Sequence, residues 1–398
     1  MSYEKWTEEL KANFDETVAW RRHLHEYPEP SFEEEQTAAF IVTQLQQMGI
    51  EDIQMNVGNG YGIVAKIYGD HSGPTIAFRA DFDALRIHEE TDVPFQSKNP
   101  GIMHACGHDG HTASLLSVAK VLSKHKADLH GNVVLLHQNA EEVVPGGAKS
   151  MIEAGCLMGV DYVFGIHVMS VLEAGKIAYS SSYGSAGSDS FQMQIQGKGG
   201  HGAAPHTTVD SVMIGTQIVT TLQTLVSRQV DPVQPAVVTF SGFQAGGEAN
   251  NIIADKAVLR GTIRTLSPEV RDLMEVQVNQ MSQSIAAANQ GTVKIHYTRG
   301  YPSIMNTPLE TERLTKVMQE KFGDTEVLEV EAGMGGEDFA YYLQEKPGTF
   351  FYVGAKNAAI EANYPHHHPK FKIDETALLR SGEAFLAIAE DYLVNKAD

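Results

Sequence analysis

Five short stretches of this sequence carry side chains that could do chemistry together. Cys106-Gly107-His108 sets a thiol and an imidazole two residues apart, and Glu141-Glu142 sets two carboxylates side by side. His167 ends the apolar run Tyr162-Val163-Phe164-Gly165-Ile166, and Asp81-Phe82-Asp83 follows the run from Thr75 to Ala80. Tyr364-Pro365-His366-His367-His368-Pro369 holds three imidazoles between two prolines. Thiolate and imidazole are donors that suit Zn²⁺ or a neighbouring transition metal far better than Mg²⁺ or Ca²⁺. Adjacent glutamates on extended backbone point to opposite sides, so one can bind metal while the other handles a proton. That division is what metal-assisted hydrolysis requires: the ion lowers the pKa of a water to about 7 and polarises a carbonyl, and a carboxylate takes the proton. Each stretch alone has a plainer reading, as a hydrogen-bonded strand-end His, a solvated acidic loop or an exposed turn. Their placement after successive strands is what favours a single site.

Open α/β sheets gather their sites at the carboxyl ends of strands, so the elements before these residues matter. Helical spacing runs from Trp6 to Glu26 and from Ser31 to Met48, the second with Ser31 as N-cap and Glu34 as its capping-box partner. Short β-rich runs follow at Gly62 to Tyr68, Thr75 to Ala80, Asn132 to Leu136 and Tyr162 to His167, with a helix from His111 to Lys124. Gly107 and Gly110 would let the backbone turn so that Cys106 and His108 face one centre. Short apolar strands separated by helices predict an α/β fold: a central sheet with parallel members and helices on both faces. From about Gly187 the order changes to strand 189–196, helix 209–228, strands 236–242 and 257–265, helix 268–289 and strand 292–297. This βαββαβ order resembles a ferredoxin-like α+β domain inserted in the larger one. After Gly300 the first style resumes, with helices at 310–321 and 374–394 and a strand at 349–354. The expected division is therefore 1–186 with 300–398, interrupted by 187–299.

Composition narrows the function. The chain has 398 residues and a formal net charge of -20, from 30 Lys+Arg against 50 Asp+Glu. An acidic protein without a basic stripe is a poor match for nucleic acid. No apolar run approaches the roughly 18 residues of a membrane span, and the start Met1-Ser2-Tyr3-Glu4-Lys5 lacks the pattern of a signal peptide. Cys106 and Cys156 could pair on arithmetic alone, but a reducing cytoplasm is the expected location. The thiols would then be buried residues or metal ligands.

Read in order, the motifs resemble a known family. They are Arg79-Ala80-Asp81-Phe82-Asp83-Ala84-Leu85, the His104 to His111 run, Asn139-Ala140-Glu141-Glu142 with Gly146-Gly147, Gly165-Ile166-His167, Gly199-Gly200-His201-Gly202-Ala203-Ala204-Pro205, Met334-Gly335-Gly336-Glu337-Asp338-Phe339 and His366-His367-His368-Pro369. Together they resemble the M20 metallopeptidases in their amidohydrolase branch. That branch holds N-acyl-L-amino-acid amidohydrolases, hippurate hydrolases, indole-acetyl-amino-acid hydrolases and N-acetyldiaminopimelate deacetylases. The resemblance implies a mixed-sheet catalytic domain and an inserted lid and dimerisation domain, hence a homodimer or larger homo-oligomer. It implies that Cys106, His108, Glu142, His167 and His367 hold two divalent ions (Zn, Mn, Co or Ni), with Glu141 as general acid/base. Asp83 matches the acid that orients a ligand. His367 is chosen because the family reads H-x-P there; His366 stands where Leu is usual, which leaves His366 and His368 as weaker candidates. In the wider family a His occupies the place of Asp81 and an Asp that of His108. His201 would reach the substrate carbonyl oxygen, and Asn251 and Arg264 the free carboxylate, the groups an anionic substrate needs.

The implied activity is hydrolysis of the amide bond of small N-acyl-L-amino acids. Rival readings are a dipeptidase or carboxypeptidase of the same family and a non-catalytic metal- or ligand-binding protein. Glu141 counts against the last, because beside a separate ligand Glu142 it has no evident structural purpose. Gly197-Lys198-Gly199-Gly200-His201-Gly202 matches a dinucleotide-binding G-x-G-x-x-G, but the next strand, 236–242, ends on Ser241-Gly242 and not on an acid.

Overall fold

The computed structural model describes residues 2–394. The chain forms two compact units: Met1–Gly184, Met305–Glu331 and Asp338–Asp398 make the larger, and Ser185–Ile304 with Ala332–Glu337 the smaller. Segment 332–337 thus belongs with the smaller unit, although it lies well beyond residue 299 in the chain.

The larger unit is built on an eight-stranded mixed sheet. At its centre His130–Gln138, His71–Asp81, Tyr162–Glu173 and Gly348–Lys356 lie side by side and parallel. Ile53–Val57 and Gly62–Tyr68 extend one edge antiparallel, and Ile177–Tyr179 and Val327–Glu329 extend the other. The central strands are apolar without alternation, as at Ile76-Ala77-Phe78 and Val133-Val134-Leu135-Leu136, because both faces are covered. The helix His108–Lys124 is buried along almost its whole length between the sheet and the helices Phe14–Glu26 and Thr376–Leu393. Its buried hydroxyls are satisfied internally: the Ser114 hydroxyl donates to Gly110 O at 2.7 Å, and Ser117 pairs with Thr17 at 2.9 Å. Trp6, Leu10, Leu115, Leu116, Phe385 and Leu386 fill the space around it, each buried side chain of this size contributing roughly 1.5–3 kcal/mol.

Two features of the amino-terminal segment differ from expectation. The helical run 6–26 breaks at Asn13 into Ser2–Ala12 and Phe14–Glu26. The next helix spans Glu35–Gln47, and Ser31 does not cap it. The Ser31 hydroxyl donates to Asp83 Oδ2 at 2.6 Å, and Glu34 turns inward to accept the Ala140 N–H at 2.8 Å. Both side chains serve the loops of the site, which outcompete a local cap.

In the smaller unit Gly187–Gln196, Ser211–Arg228, Ala236–Ala245, Lys256–Thr265, Pro268–Ala288 and Thr292–Arg299 follow one another as βαββαβ. The four strands pair antiparallel, with 187–196 between 256–265 and 292–299, and 236–245 on the outer side of 256–265. Alternating burial along 187–196 sends Phe191, Met193 and Ile195 under the two helices. The helices begin at side-chain caps, Asp210 accepting from Val212 N and Met213 N, and Ser267 from Val270 N. No helix among the described residues is long and apolar enough to cross a membrane.

Candidate metal centre

Strand Tyr162–Glu173, the loop after strand His130–Gln138, the start of helix His108–Lys124 and the loop 364–369 bring the expected ligands together. Cys106 Sγ lies 3.4 Å from His167 Nε2, and His108 Nε2 lies 3.8 Å from Glu142 Oε1. His367 Nε2 reaches the same Glu142 oxygen at 3.3 Å. Potential ligand atoms of Cys106, His108 and His167 lie within 4.8 Å of one another, as do those of Cys106, Glu142 and His367, and those of His108, Glu141 and Glu142. All of these residues belong to the larger unit.

The turn at Gly107 makes the first part of this possible. Gly107 has φ +93°, and a Cβ on it would sit 2.4 Å from Val168 Cγ2, so only glycine can carry the chain from Cys106 into the helix here. The same holds beyond the paired glutamates, where a Cβ on Gly147 would meet Asn139 O at 2.0 Å. His367 is itself left-handed at φ +65°, and its N–H is held by Ala105 O at 2.8 Å. The neighbouring imidazoles have other partners: His366 Nε2 accepts from Ser170 N at 3.4 Å, and His368 accepts from Lys370 N at 3.0 Å while stacking on Tyr364.

Hydrogen bonds settle which ring nitrogens are available. His108 Nδ1 faces Asp83 O at 3.0 Å and Asp83 Oδ1 at 3.2 Å, both acceptors, so Nδ1 carries a proton and Nε2 faces the cluster. His167 Nδ1 donates to Val168 O at 2.7 Å, which leaves its Nε2 toward Cys106. His111 has neither nitrogen to spare: Nδ1 donates to Asp81 Oδ1 at 2.6 Å and Nε2 accepts the Val168 N–H at 2.9 Å. Asp83 Oδ2 also accepts from the Glu142 N–H at 3.0 Å, so one carboxylate steadies two of the expected ligands.

Charge is arranged accordingly. Burial would raise the Asp81 carboxyl, but Arg79, His108 and His111 outweigh it and hold the group well below the usual range. Burial opposes charge on His108, yet Asp81, Asp83 and Glu142 raise its pKa to about 10. Burial first, then Glu142, Glu141 and Asp81, push the Cys106 thiol well up. His167 is driven far down by burial and by His111 and His366, so it stays neutral.

The residues fit a pair of divalent cations. His108 Nε2 and Glu142 Oε1 are buried and make no hydrogen bond, an arrangement that costs free energy unless something positive binds between them. Thiolate, imidazole and carboxylate donors together suit Zn²⁺, Mn²⁺, Co²⁺ or Ni²⁺.

The substrate-binding candidates lie in the smaller unit. His201 pairs with Ile252 across a two-residue ladder, and the Gly202 N–H donates to Asn251 O at 2.7 Å, so His201 and Asn251 are neighbours. Arg264 stands on strand 256–265, half-buried, and donates to Thr262 Oγ1 and to Ile263 O.

The model of peptidase family M20/M25/M40 matches residues 77–391. The chain belongs to this family. It is 43% identical over 303 residues to an N-acyl-L-amino acid amidohydrolase of Geobacillus stearothermophilus, covering 75% of this chain and 81% of that protein. It is 40% identical to thermostable carboxypeptidase 1 of Saccharolobus solfataricus, covering 97% and 98% of the two chains. Among solved structures it resembles the Bacillus subtilis YXEP protein, described as a dinuclear metal binding peptidase of the M20 family, with a TM-score of 0.80, 35% identity and coverage of 95% and 98%.

Sequence reasoning passed over Arg79, Asp338 and His111. Arg79 is fully buried and donates to Asp81 Oδ2 at 2.5 Å, Asp338 Oδ1 at 2.8 Å and Gln138 Oε1 at 2.9 Å. A signal was present: an arginine inside the apolar run Ile76-Ala77-Phe78-Arg79-Ala80 must find buried acids.

Proposed function

We propose that this chain is a metal-dependent amidohydrolase that cleaves N-acyl-L-amino acids to a carboxylic acid and a free amino acid. The observation that carries this reading is the Glu141-Glu142 turn. Glu142 aims a buried oxygen without a hydrogen bond at His108 and His367, while a carboxylate oxygen of Glu141 lies within 4.8 Å of potential ligand atoms of His108 and Glu142. One glutamate is thus available as ligand and the other as base. Cys106, His108, Glu142, His167 and His367 would hold two divalent cations, which would lower the pKa of a water to about 7 and polarise the scissile carbonyl.

Glu141 takes the proton of the attacking water and returns it to the leaving amine nitrogen, work typically worth 10²–10⁴ in rate. Asp83 keeps His108 in the tautomer that offers Nε2 to the cluster. His201 supplies a donor to the developing oxyanion: its Nδ1 accepts the Ala203 N–H at 3.1 Å, so Nε2 carries the proton. Asn251 and Arg264 bind the carboxylate of the amino-acid half. The enzyme acts in the cytoplasm, in keeping with two buried thiols that form no disulfide. It assembles as a homodimer or larger homo-oligomer through the smaller unit, where Val212, Met213, Val237 and Phe243 are exposed.

The test is a hydrolysis panel of N-acetyl, N-benzoyl and indole-acetyl amino acids beside plain dipeptides, with and without chelator. Cleavage of the N-acyl substrates that chelator abolishes is expected. Activity on peptides alone would favour the second reading, a carboxypeptidase, which the Saccharolobus relative supports. Glu141→Gln should keep two ions by elemental analysis and lose at least about 10² in turnover; unchanged hydrolysis would remove Glu141 from the mechanism.

A further inference from the structure

We infer that Glu34 is a positioning residue for Glu141, acting through the backbone N–H of Ala140. The inference rests on the reading of Glu141 as the base. Glu34 has no exposed surface, and its Oε1 accepts the Ala140 N–H at 2.8 Å across 106 positions of sequence. Ala140 is a non-glycine residue at φ +52°. The left-handed conformation costs an alanine roughly 1–2 kcal/mol and persists only where neighbours hold it. The grip is completed on the other side of Glu141, where the Glu142 N–H donates to Asp83 Oδ2 at 3.0 Å. The two peptide N–H groups flanking Glu141 are therefore each held by a carboxyl, one from Glu34 and one from Asp83. The residue before the turn has no slack either, because Asn139 is hemmed in by Gly60 and Gly147, whose Cβ positions would fall 2.1 Å and 2.0 Å from its atoms.

Helix capping does not account for Glu34. It occupies the N-cap position of Glu35–Gln47 but makes no side-chain cap bond there. Burying a carboxyl is costly, and burial together with Asp83 pushes this one up to about 8. A costly group that holds a strained peptide unit next to the catalytic base is how a supporting residue fixes the geometry of the one it supports. Misplacement of a reacting group by about 1 Å can cost on the order of 10²-fold in rate.

Two conservative variants separate reach from charge. Glu34→Asp keeps the acid but draws it back by one methylene, out of reach of the Ala140 N–H; Glu34→Gln keeps length and an acceptor oxygen but not the acid. With both variants loaded with metal and assayed on the best substrate of the panel, Glu34→Asp is expected to lose roughly 10- to 100-fold in kcat with KM nearly unchanged. Glu34→Gln is expected to stay close to the parent. Amide hydrogen exchange at Ala140, measured without substrate, should speed up in Glu34→Asp and not in Glu34→Gln. Parent-like kcat in Glu34→Asp, equal loss in both variants, or unchanged exchange at Ala140 would overturn the inference. Glu141→Gln is run beside them: if it keeps full turnover the base assignment fails, whereas the exchange experiment still decides whether Glu34 holds the turn.

Discussion

Arg79 allows a stability prediction that can be worked through from geometry. Its guanidinium is fully buried and sits between Asp81 and Asp338, and Asp338 also accepts from Gln138 Nε2 at 2.8 Å and Ala148 N at 3.0 Å. Arg79→Met keeps much of the side-chain volume and removes the cation, leaving the buried carboxylates of Asp81 and Asp338 without it. Removing one partner of a buried ion pair costs about 3–5 kcal/mol, mostly as the penalty of the charge left behind. At ~2–4 °C per kcal/mol for a domain of this scale, the melting temperature should fall by ~6–20 °C. The sign of the pH dependence follows from which state binds protons. Without Arg79 the Asp338 carboxyl, which burial already raises to about 6 with the arginine present, moves further above its unfolded value. Such a group costs stability above its unfolded pKa, and the cost vanishes as pH falls below that value. The gap between variant and parent should therefore be widest near pH 8 and shrink toward pH 4. Urea or thermal unfolding across that range measures it, and Asp338→Asn in the Arg79→Met background should recover part of the loss. A variant within about 1 kcal/mol of the parent at pH 8, or a gap that ignores pH, would refute the reasoning.

Other expectations follow from the same geometry. Because, despite burial, Asp81, Asp83 and Glu142 raise the His108 pKa to about 10 and the Cys106 thiol is pushed well up, ion binding must displace protons, so metal affinity should rise from pH 7 to pH 9. Calorimetry in buffers of different ionisation heat would show the release, and a flat affinity profile would contradict it. His111→Phe removes no ligand but frees Asp81 and the Val168 N–H, and should weaken metal binding by roughly 10- to 100-fold in a chelator competition. Gly147→Ala should destabilise the protein by roughly 1–3 kcal/mol in denaturant titration, whereas Gly335→Ala, with nothing within 4 Å of its Cβ, should be neutral. Arg264→Ala should raise KM for N-acyl amino acids and leave the decarboxylated amide analogues unaffected; an equal effect on both would take Arg264 off the carboxylate.

Much of this was legible in the sequence because the larger unit obeys simple rules. Doubly covered parallel strands show as apolar runs, so Asp81, Glu142 and His167 could be singled out by asking what comes at or after the end of each run, although the structure carries the strand Tyr162–Glu173 on past His167. Gly107 was visible as a flexible joint, and the structure shows that its φ and the contact with Val168 make it a requirement. Less legible were long-range polar partners. Ser31 and Glu34 have the spacing of a capping box, yet Ser31 donates to Asp83 and Glu34 accepts from Ala140, because loops that need a donor and an acceptor hold these side chains in place of a helix end. Periodicity also misses short elements, such as Ile177–Tyr179, and the break at Asn13, where the helical pattern of side chains continues across a turn.

The span between Arg79 and Asp338, 259 positions apart, has a consequence for how the protein is made. During vectorial synthesis the strand carrying Arg79 emerges long before its acidic partner, and Cys106 and His108 emerge long before His367. The ordering cost of such distant closures must be met before the contacts they bring are gained. The nascent chain therefore lacks one of the two acids that hold Arg79, and exposes the Cys106 thiol, until residues 338 to 367 have been made. Amino-terminal fragments that end before residue 338 should be ready substrates for chaperones and proteases rather than partial enzymes.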